Sequence, residues 1–131
     1  SGYKIIIATN QSGIGRGYYS EKEMRKFNRH MKNQIAKAGG RIDAIFFCPH
    51  TGSDKCACRK PGIGMFLEAS KEFGLNLSKS WLIGDDERDV LAGREANLKT
   101  IYFGKQKGYK NRIKPQYFAD DFKSIKKIIF G

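Results

Sequence analysis

The sequence holds no apolar run near the ~20 residues that a helix needs to cross a bilayer. Its opening, SGYKIIIATNQSG, has too short an apolar stretch for a secretory leader and no small-residue cleavage site. A cytoplasmic location without membrane association is therefore expected. Cysteine and histidine are sparse, at three and two. Three cysteines cannot close a disulfide framework without stranding one, and a cytosolic protein should not rely on one. Acidic residues are also scarce: 13 stand against 25 basic ones, a formal charge of +12. No internal repeat and no Asp-x-Asp string occur.

What is present suffices for one globular domain. The chain has 131 residues, 40% of them apolar, which can bury a real core and excludes a disordered tail. A single domain over residues 1–131 is expected. The positive balance favours anionic partners such as phosphorylated small molecules or nucleic acid. A lysine-rich solvated surface accounts for it equally well.

Strand and helix signals alternate along the chain. YKIIIA at residues 3–8 suits a buried parallel strand. Ser20 with Glu23 is a capping-box pair, predicting a helix over 21–38 with Met24, Phe27, Met31 and Ile35 on one face. Gly39-Gly40 stops it, and RIDAIFFC at 41–48 is a second strand. A helix over 63–73 ends at Gly74, with Met65, Phe66, Ala69 and Phe73 inward. Strands follow at 81–83 and 100–103, with a helix between them running to about Ala96. A basic loop leads to a short segment at Tyr117-Phe118 and a final helix capped by Asp121. This order predicts an α/β fold with a parallel sheet, whose functional loops lie beyond the strands' carboxyl ends.

Three such loops carry unusual chemistry. The first runs CPHTGSDKCACRKP and holds Cys48, His50, Cys56 and Cys58. Three sulfurs and one nitrogen suit tetrahedral zinc, and four donors in one loop leave no open position, which favours a structural clip. Unligated cysteines are the alternative. His30 falls on a polar helix face and is expected to be only solvated.

The second loop, Thr9 to Gly17, has GxGxG spacing, and its helix begins only after Ser20, a poor dinucleotide fingerprint. Its N–H groups and Arg16 suit an oxyanion, and a plain glycine-rich turn is the alternative. Arg59 and Lys60 follow the last cysteine, where a clip would position them to stabilise phosphoryl charge. By themselves they would be solvated surface cations. The third loop is Ile83-Gly84-Asp85-Asp86-Glu87-Arg88-Asp89. Acidic residues there suit the helix dipole, and Asp85 is also well placed to ligate magnesium.

Together these strings resemble the haloacid-dehalogenase (HAD) superfamily of phosphohydrolases, from Tyr3 to about Phe103. The resemblance implies that Thr9 binds the transferring phosphoryl group and that Lys60 stabilises its charge. It implies Asp85 as a magnesium ligand and Asp89 as a supporting carboxylate. TNQSGIGRG with CPH…CxCRKP is similar to the D,D-heptose 1,7-bisphosphate phosphatases, which implies a structural zinc on Cys48, His50, Cys56 and Cys58. It also implies a role in lipopolysaccharide core synthesis. Histidinol-phosphate phosphatases share the zinc loop but tend to lack the SGI-x-RG continuation. Polynucleotide 3′-phosphatases share the glycine loop and lack the cysteines, so nucleic acid is the less favoured partner.

On this resemblance Thr9, Arg59 and Lys60 contact phosphoryl oxygens, and Asn10, Gln11 and Ser12 orient the substrate. Asp86 stands where such phosphatases often carry a lysine, which puts its substrate contact in question. The family also implies a central first strand bearing a DxD nucleophile pair. That strand is expected between the strands at 3–8 and 81–84, and is not among these residues. The chain therefore resembles an N-terminally incomplete Rossmann-like HAD domain, expected to be monomeric and inactive alone. A degenerate relative that keeps only a phosphate site is the alternative.

Overall fold

The computed structural model describes residues 3–10, 17, 20–48, 60 and 62–131. The chain forms two compact units, residues 1–59 and 60–131.

In the first unit, strand β1 (Ile6–Asn10) is followed by helix α1 (Glu21–Lys37) and strand β2 (Ala44–Cys48). The strands pair in parallel, from Ile6 opposite Ala44 to Asn10 opposite Cys48. Both strands begin later than the apolar runs predict. The cause is a side-chain bracket ahead of the ladder. The Ile5 N–H donates to Asp43 Oδ2 at 2.6 Å, and the Asp43 N–H returns a bond to Ile5 O at 2.7 Å. Arg41 adds a 2.6 Å bond to Tyr3 O. These contacts occupy the groups that a longer ladder would use. At the other end the ladder continues through Thr9 opposite Phe47 and Asn10 opposite Cys48, so both lie within β1 and not in the loop after it.

Helix α1 begins as its capping box dictates. Ser20 Oγ accepts the Glu23 N–H at 3.0 Å, and Glu23 Oε1 accepts the Ser20 N–H at 3.1 Å. Its inward line differs from the expected one by a single position. Met24 is buried, Met31 and Ile35 are half-buried, and Phe27 is 64% exposed. Asn28 takes the buried place, four residues from Met24, and its amide donates to Met24 Sδ at 2.7 Å. A polar residue can lie there because its amide has a partner. His30 is exposed, as its helix face predicts.

The second unit runs α2 (Gly64–Phe73), β3 (Trp81–Gly84), α3 (Glu87–Glu95), β4 (Lys99–Phe103), β5 (Tyr117–Ala119) and α4 (Phe122–Phe130). The three strands form one parallel sheet in the order β3-β4-β5. Alternation along β4 sends neighbouring residues to opposite faces. Thr100, fully buried, meets Gly93 of α3. Ile101, also fully buried, packs with Ala119 and with Ile125 of α4. On the α3 side Leu82, Ala96 and Leu98 gather Ile63, Phe66 and Leu77. Helices therefore cover both faces, and each parallel sheet fits the expected α/β class.

The ends of β5 are tied separately. Thr100 Oγ1 accepts the Gln116 N–H at 3.0 Å, and Gln116 Oε1 accepts the Thr100 N–H at 3.4 Å. The Gly104 N–H donates to Ala119 O at 2.8 Å.

Candidate active site

The chemistry of the second unit gathers where β3 ends. Glycine is required at 84 by close approach. A Cβ there would sit 2.5 Å from Asp89 Oδ2 and 2.7 Å from Asp89 Cγ. The notch left by the missing side chain is where the Asp89 carboxylate lies. From it, Asp89 Oδ1 pairs with Lys60 Nζ at 2.5 Å, with side-chain exposures of only 11% and 14%. Asp89 Oδ2 accepts the Asp86 N–H at 3.2 Å. One carboxylate thus fixes both the lysine and the start of α3. A charge pair this shielded from water is held more firmly than a surface pair.

Asp86 caps α3. Its Oδ1 accepts the Arg88 N–H at 2.8 Å, and both oxygens take the Arg88 guanidinium at 3.1 Å. The guanidinium bonds and the Arg88 N–H hold the Asp86 carboxyl below its ordinary range. The acidic cap also suits the positive end of the helix dipole.

Asp85 differs from both neighbours. Its side chain is exposed directly after β3, and among the described residues nothing pairs with it. An uncommitted carboxylate of this kind fits a hard divalent cation. Magnesium often takes one or two carboxylates and completes its shell with water and phosphate. Among the described residues no group of three or more His, Cys, Asp or Glu converges on a metal position. Asp85 would therefore share an ion with donors of that second kind or with residues beyond those described.

Of the expected zinc ligands, Cys48 is described, fully buried at the end of β2. His50, Cys56 and Cys58 lie outside the described residues, as do Gln11, Ser12 and Arg59. Thr9 and Asn10 belong to the first unit, at the carboxyl end of β1. Lys60, Asp85, Asp86 and Asp89 belong to the second, which brings Lys60 and Asp89 together across 29 positions.

Two features were not anticipated from the sequence. Gly84 reads there as a strand stop, whereas its lack of a side chain is what seats Asp89. Glu87 Oε2 accepts the Lys110 N–H at 2.8 Å, fastening the basic loop to the first residue of α3. A glycine just before an acidic cluster hints at the first. No local signal announces a bond across 23 residues.

A family model described as HAD-hydrolase-like matches residues 57–125. The chain is 48% identical over 95 residues to a probable D-glycero-D-manno-heptose-1,7-bisphosphate 7-phosphatase of Thermoplasma acidophilum, covering 72% of this chain and 58% of that protein. It is 40% identical over 127 residues to the D-glycero-alpha-D-manno-heptose-1,7-bisphosphate 7-phosphatase of Campylobacter jejuni, covering 97% and 70%. Among solved structures, the D,D-heptose 1,7-bisphosphate phosphatase from B. bronchiseptica, complexed with magnesium and phosphate, superposes with a TM-score of 0.83 at 28% identity. That match covers 96% of this chain and 73% of the other. The chain thus spans 58% of the length of its Thermoplasma relative and 70% of the Campylobacter one. With Lys60, Asp85 and Asp89 set at the end of a parallel strand as described, the chain belongs to the HAD-like hydrolases.

Proposed function

We propose that the parent protein removes the 7-phosphate of D-glycero-D-manno-heptose 1,7-bisphosphate through an aspartyl-phosphate. The observation that carries this is the shielded Lys60–Asp89 pair beside an uncommitted Asp85, in a chain similar to phosphatases of that specificity. A carboxylate oxygen attacks phosphorus, the bond to the sugar oxygen breaks, and the sugar leaves as its alcohol after protonation. Water then cleaves the acyl phosphate to inorganic phosphate. The attacking aspartate lies outside these 131 residues, which contain no Asp-x-Asp pair.

In this scheme Lys60 meets the charge on the equatorial phosphoryl oxygens, and Asp89 keeps its ammonium from swinging away. Thr9 donates its hydroxyl to the same group, and Arg59 adds a second cation. Asn10, Gln11 and Ser12 orient the ester. Asp85 would hold magnesium, which when bound neutralises phosphate charge. Asp86 serves the site through the α3 cap, and its place among the substrate contacts is the weakest. Cys48, His50, Cys56 and Cys58 would hold a structural zinc that stiffens the approach to Arg59 and Lys60. The protein would act in the cytoplasm on a phosphorylated sugar.

Phosphate release by the parent protein, with magnesium, tests this reading. The bisphosphate should yield heptose 1-phosphate, while residues 1–131 alone should give no turnover. A parent that hydrolyses histidinol phosphate and leaves the heptose bisphosphate intact would overturn the assignment.

A further inference from the structure

Strand β3 gives way to helix α3 across two residues, Asp85 and Asp86. Both sides of that short link are fixed to one stretch of chain. On one side Gly84 pairs with Tyr102 at the end of the β3–β4 ladder. On the other, Glu87 Oε2 accepts the Lys110 N–H at 2.8 Å, from the loop that follows β4.

Tyr109 joins the two fixed points. It is 4% exposed, its ring stands edge-on to that of Tyr102 at 4.9 Å, and the Phe118 ring lies 5.8 Å away. Its hydroxyl donates to Ile113 O, and its N–H donates to Gln106 O at 3.1 Å. Asn111 Oδ1 accepts the Ile113 N–H at 2.9 Å. The backbone of Lys110 is therefore placed by a buried aromatic neighbour, independently of its charge. Gly84, Tyr102, Tyr109, Lys110 and Glu87 form a closed circuit of contacts, and Asp85 lies in the span that it encloses.

The two linking residues are not equally constrained. Asp86 is held by its bonds to Arg88 and by its N–H to Asp89. Among the described residues no ion pair holds Asp85, so the direction of its carboxylate follows from where its neighbours stand. Helix ends fray, and the bond to Lys110 ties this one to chain beyond its own cap. An acid at the first position of a helix ordinarily serves only the dipole. Glu87 also accepts from a residue 23 positions away. A glutamine would keep that acceptor and lose the charge, which separates the two roles.

We propose that Glu87 is a positioning residue for Asp85: through its bond to Lys110 it holds the Asp85 carboxylate where a divalent cation is taken up. The inference rests on Asp85 as a cation ligand in the proposed function, and deepens that reading by adding the loop after β4 to the support of the site. Groups that orient a metal's direct ligands typically carry about 10- to 100-fold of its affinity.

The test titrates manganese, which shares magnesium's preference for octahedral oxygen donors, into the intact protein without substrate, read by electron paramagnetic resonance. Asp85→Asn should remove most of the binding. Glu87→Ala should weaken it roughly 10-fold, while Glu87→Gln should stay within about twofold of the unmodified protein. In turnover, Glu87→Ala should raise the magnesium concentration for half-maximal rate by about the same factor and leave the rate at saturating magnesium within about twofold.

Equal losses in Glu87→Ala and Glu87→Gln would assign the effect to charge and overturn the inference. Unchanged manganese affinity in Glu87→Ala, whatever its melting temperature, would overturn it too. Both results leave the proposed function standing. Binding that ignores Asp85→Asn would remove Asp85 as a ligand, and this inference with it. A protein that binds manganese through Asp85 yet leaves the heptose bisphosphate intact would remove the functional reading alone, and the titration would still decide the role of Glu87.

Discussion

At the scale of single residues, an absent atom matters as much as a charge. Gly84 leaves the space in which the Asp89 carboxylate lies, and Asp89 aims Lys60. Gly84→Ala should push the carboxylate aside and destabilise the fold by about 1–3 kcal/mol, the usual range for forcing a methyl group into a filled space. If Lys60 acts as proposed, turnover by the intact protein should fall by roughly 10², because a misplacement of about 1 Å is enough. Chemical denaturation and steady-state kinetics on one variant read both effects. Unchanged kinetics beside lowered stability would show that Lys60 needs no such aim. The residue types of this site were legible in the sequence: Lys60, Asp85 and Asp89 stand out by spacing and by resemblance. Their division of labour came from the resemblance alone and not from the string. Asp85, Asp86 and Asp89 look alike in a string, and only geometry separates an uncommitted carboxylate from a helix cap and from an ion-pair partner.

At the scale of elements, local signals did well where the controlling contact is local. Ser20 and Glu23 start α1, Gly74 ends α2 in a left-handed conformation at φ 63°, and Asp121 caps α4 through the Ser124 N–H at 2.7 Å. They failed where a distant partner decides. The Ile5–Asp43 bracket moves the start of both first-unit strands across 38 positions. Asn28 takes the buried place expected of Phe27, with the Met24 sulfur accepting its amide, a contact that apolar periodicity does not register. The cap of α3 also carries a pH dependence. Bonds from Arg88 hold the Asp86 carboxyl below its ordinary value in the fold. The stabilisation is therefore complete above about pH 4, the ordinary carboxylate pKa, and fades as pH falls through the depressed folded value. Hydrogen exchange at the Arg88 amide should accordingly show falling protection below about pH 4. Asp86→Asn, which caps without titrating, should flatten that dependence. An equally steep loss in the Asn variant would assign the effect to another carboxylate.

For the whole molecule, the charge balance and the cysteine string are the legible features, and they differ in how far structure has developed them. The +12 total says only that anions are favoured. Its distribution says more, since the acid-free stretch from Ala96 to Ala119 contains a loop pinned by Tyr109 and Glu87. For the cysteine string, Cys48 is already buried at a strand end, so any metal there would be joined directly to β2. Metal analysis of the parent protein should find about one zinc per chain, a single tetrahedral set of this kind holding one ion. Chelation should lower the melting temperature by at least about 5 °C, because bound metal contributes to folding free energy. A zinc-free protein from zinc-supplemented growth, with an unmoved melting temperature, would leave these cysteines without that role.

The ties at the two ends of β5 bear on how the chain avoids a wrong answer while it folds. A strand of three residues offers little to distinguish its proper pairing from one shifted along β4. A shift by one would turn buried Ala119 outward and bring a neighbour's bulk into the space beside Ile101 and Ile125. The exchange between Thr100 and Gln116 at one end, and the bond from Gly104 to Ala119 at the other, exist in one alignment alone. Together they act as a register lock: a misaligned ladder forfeits both bonds as well as the packing of Ala119.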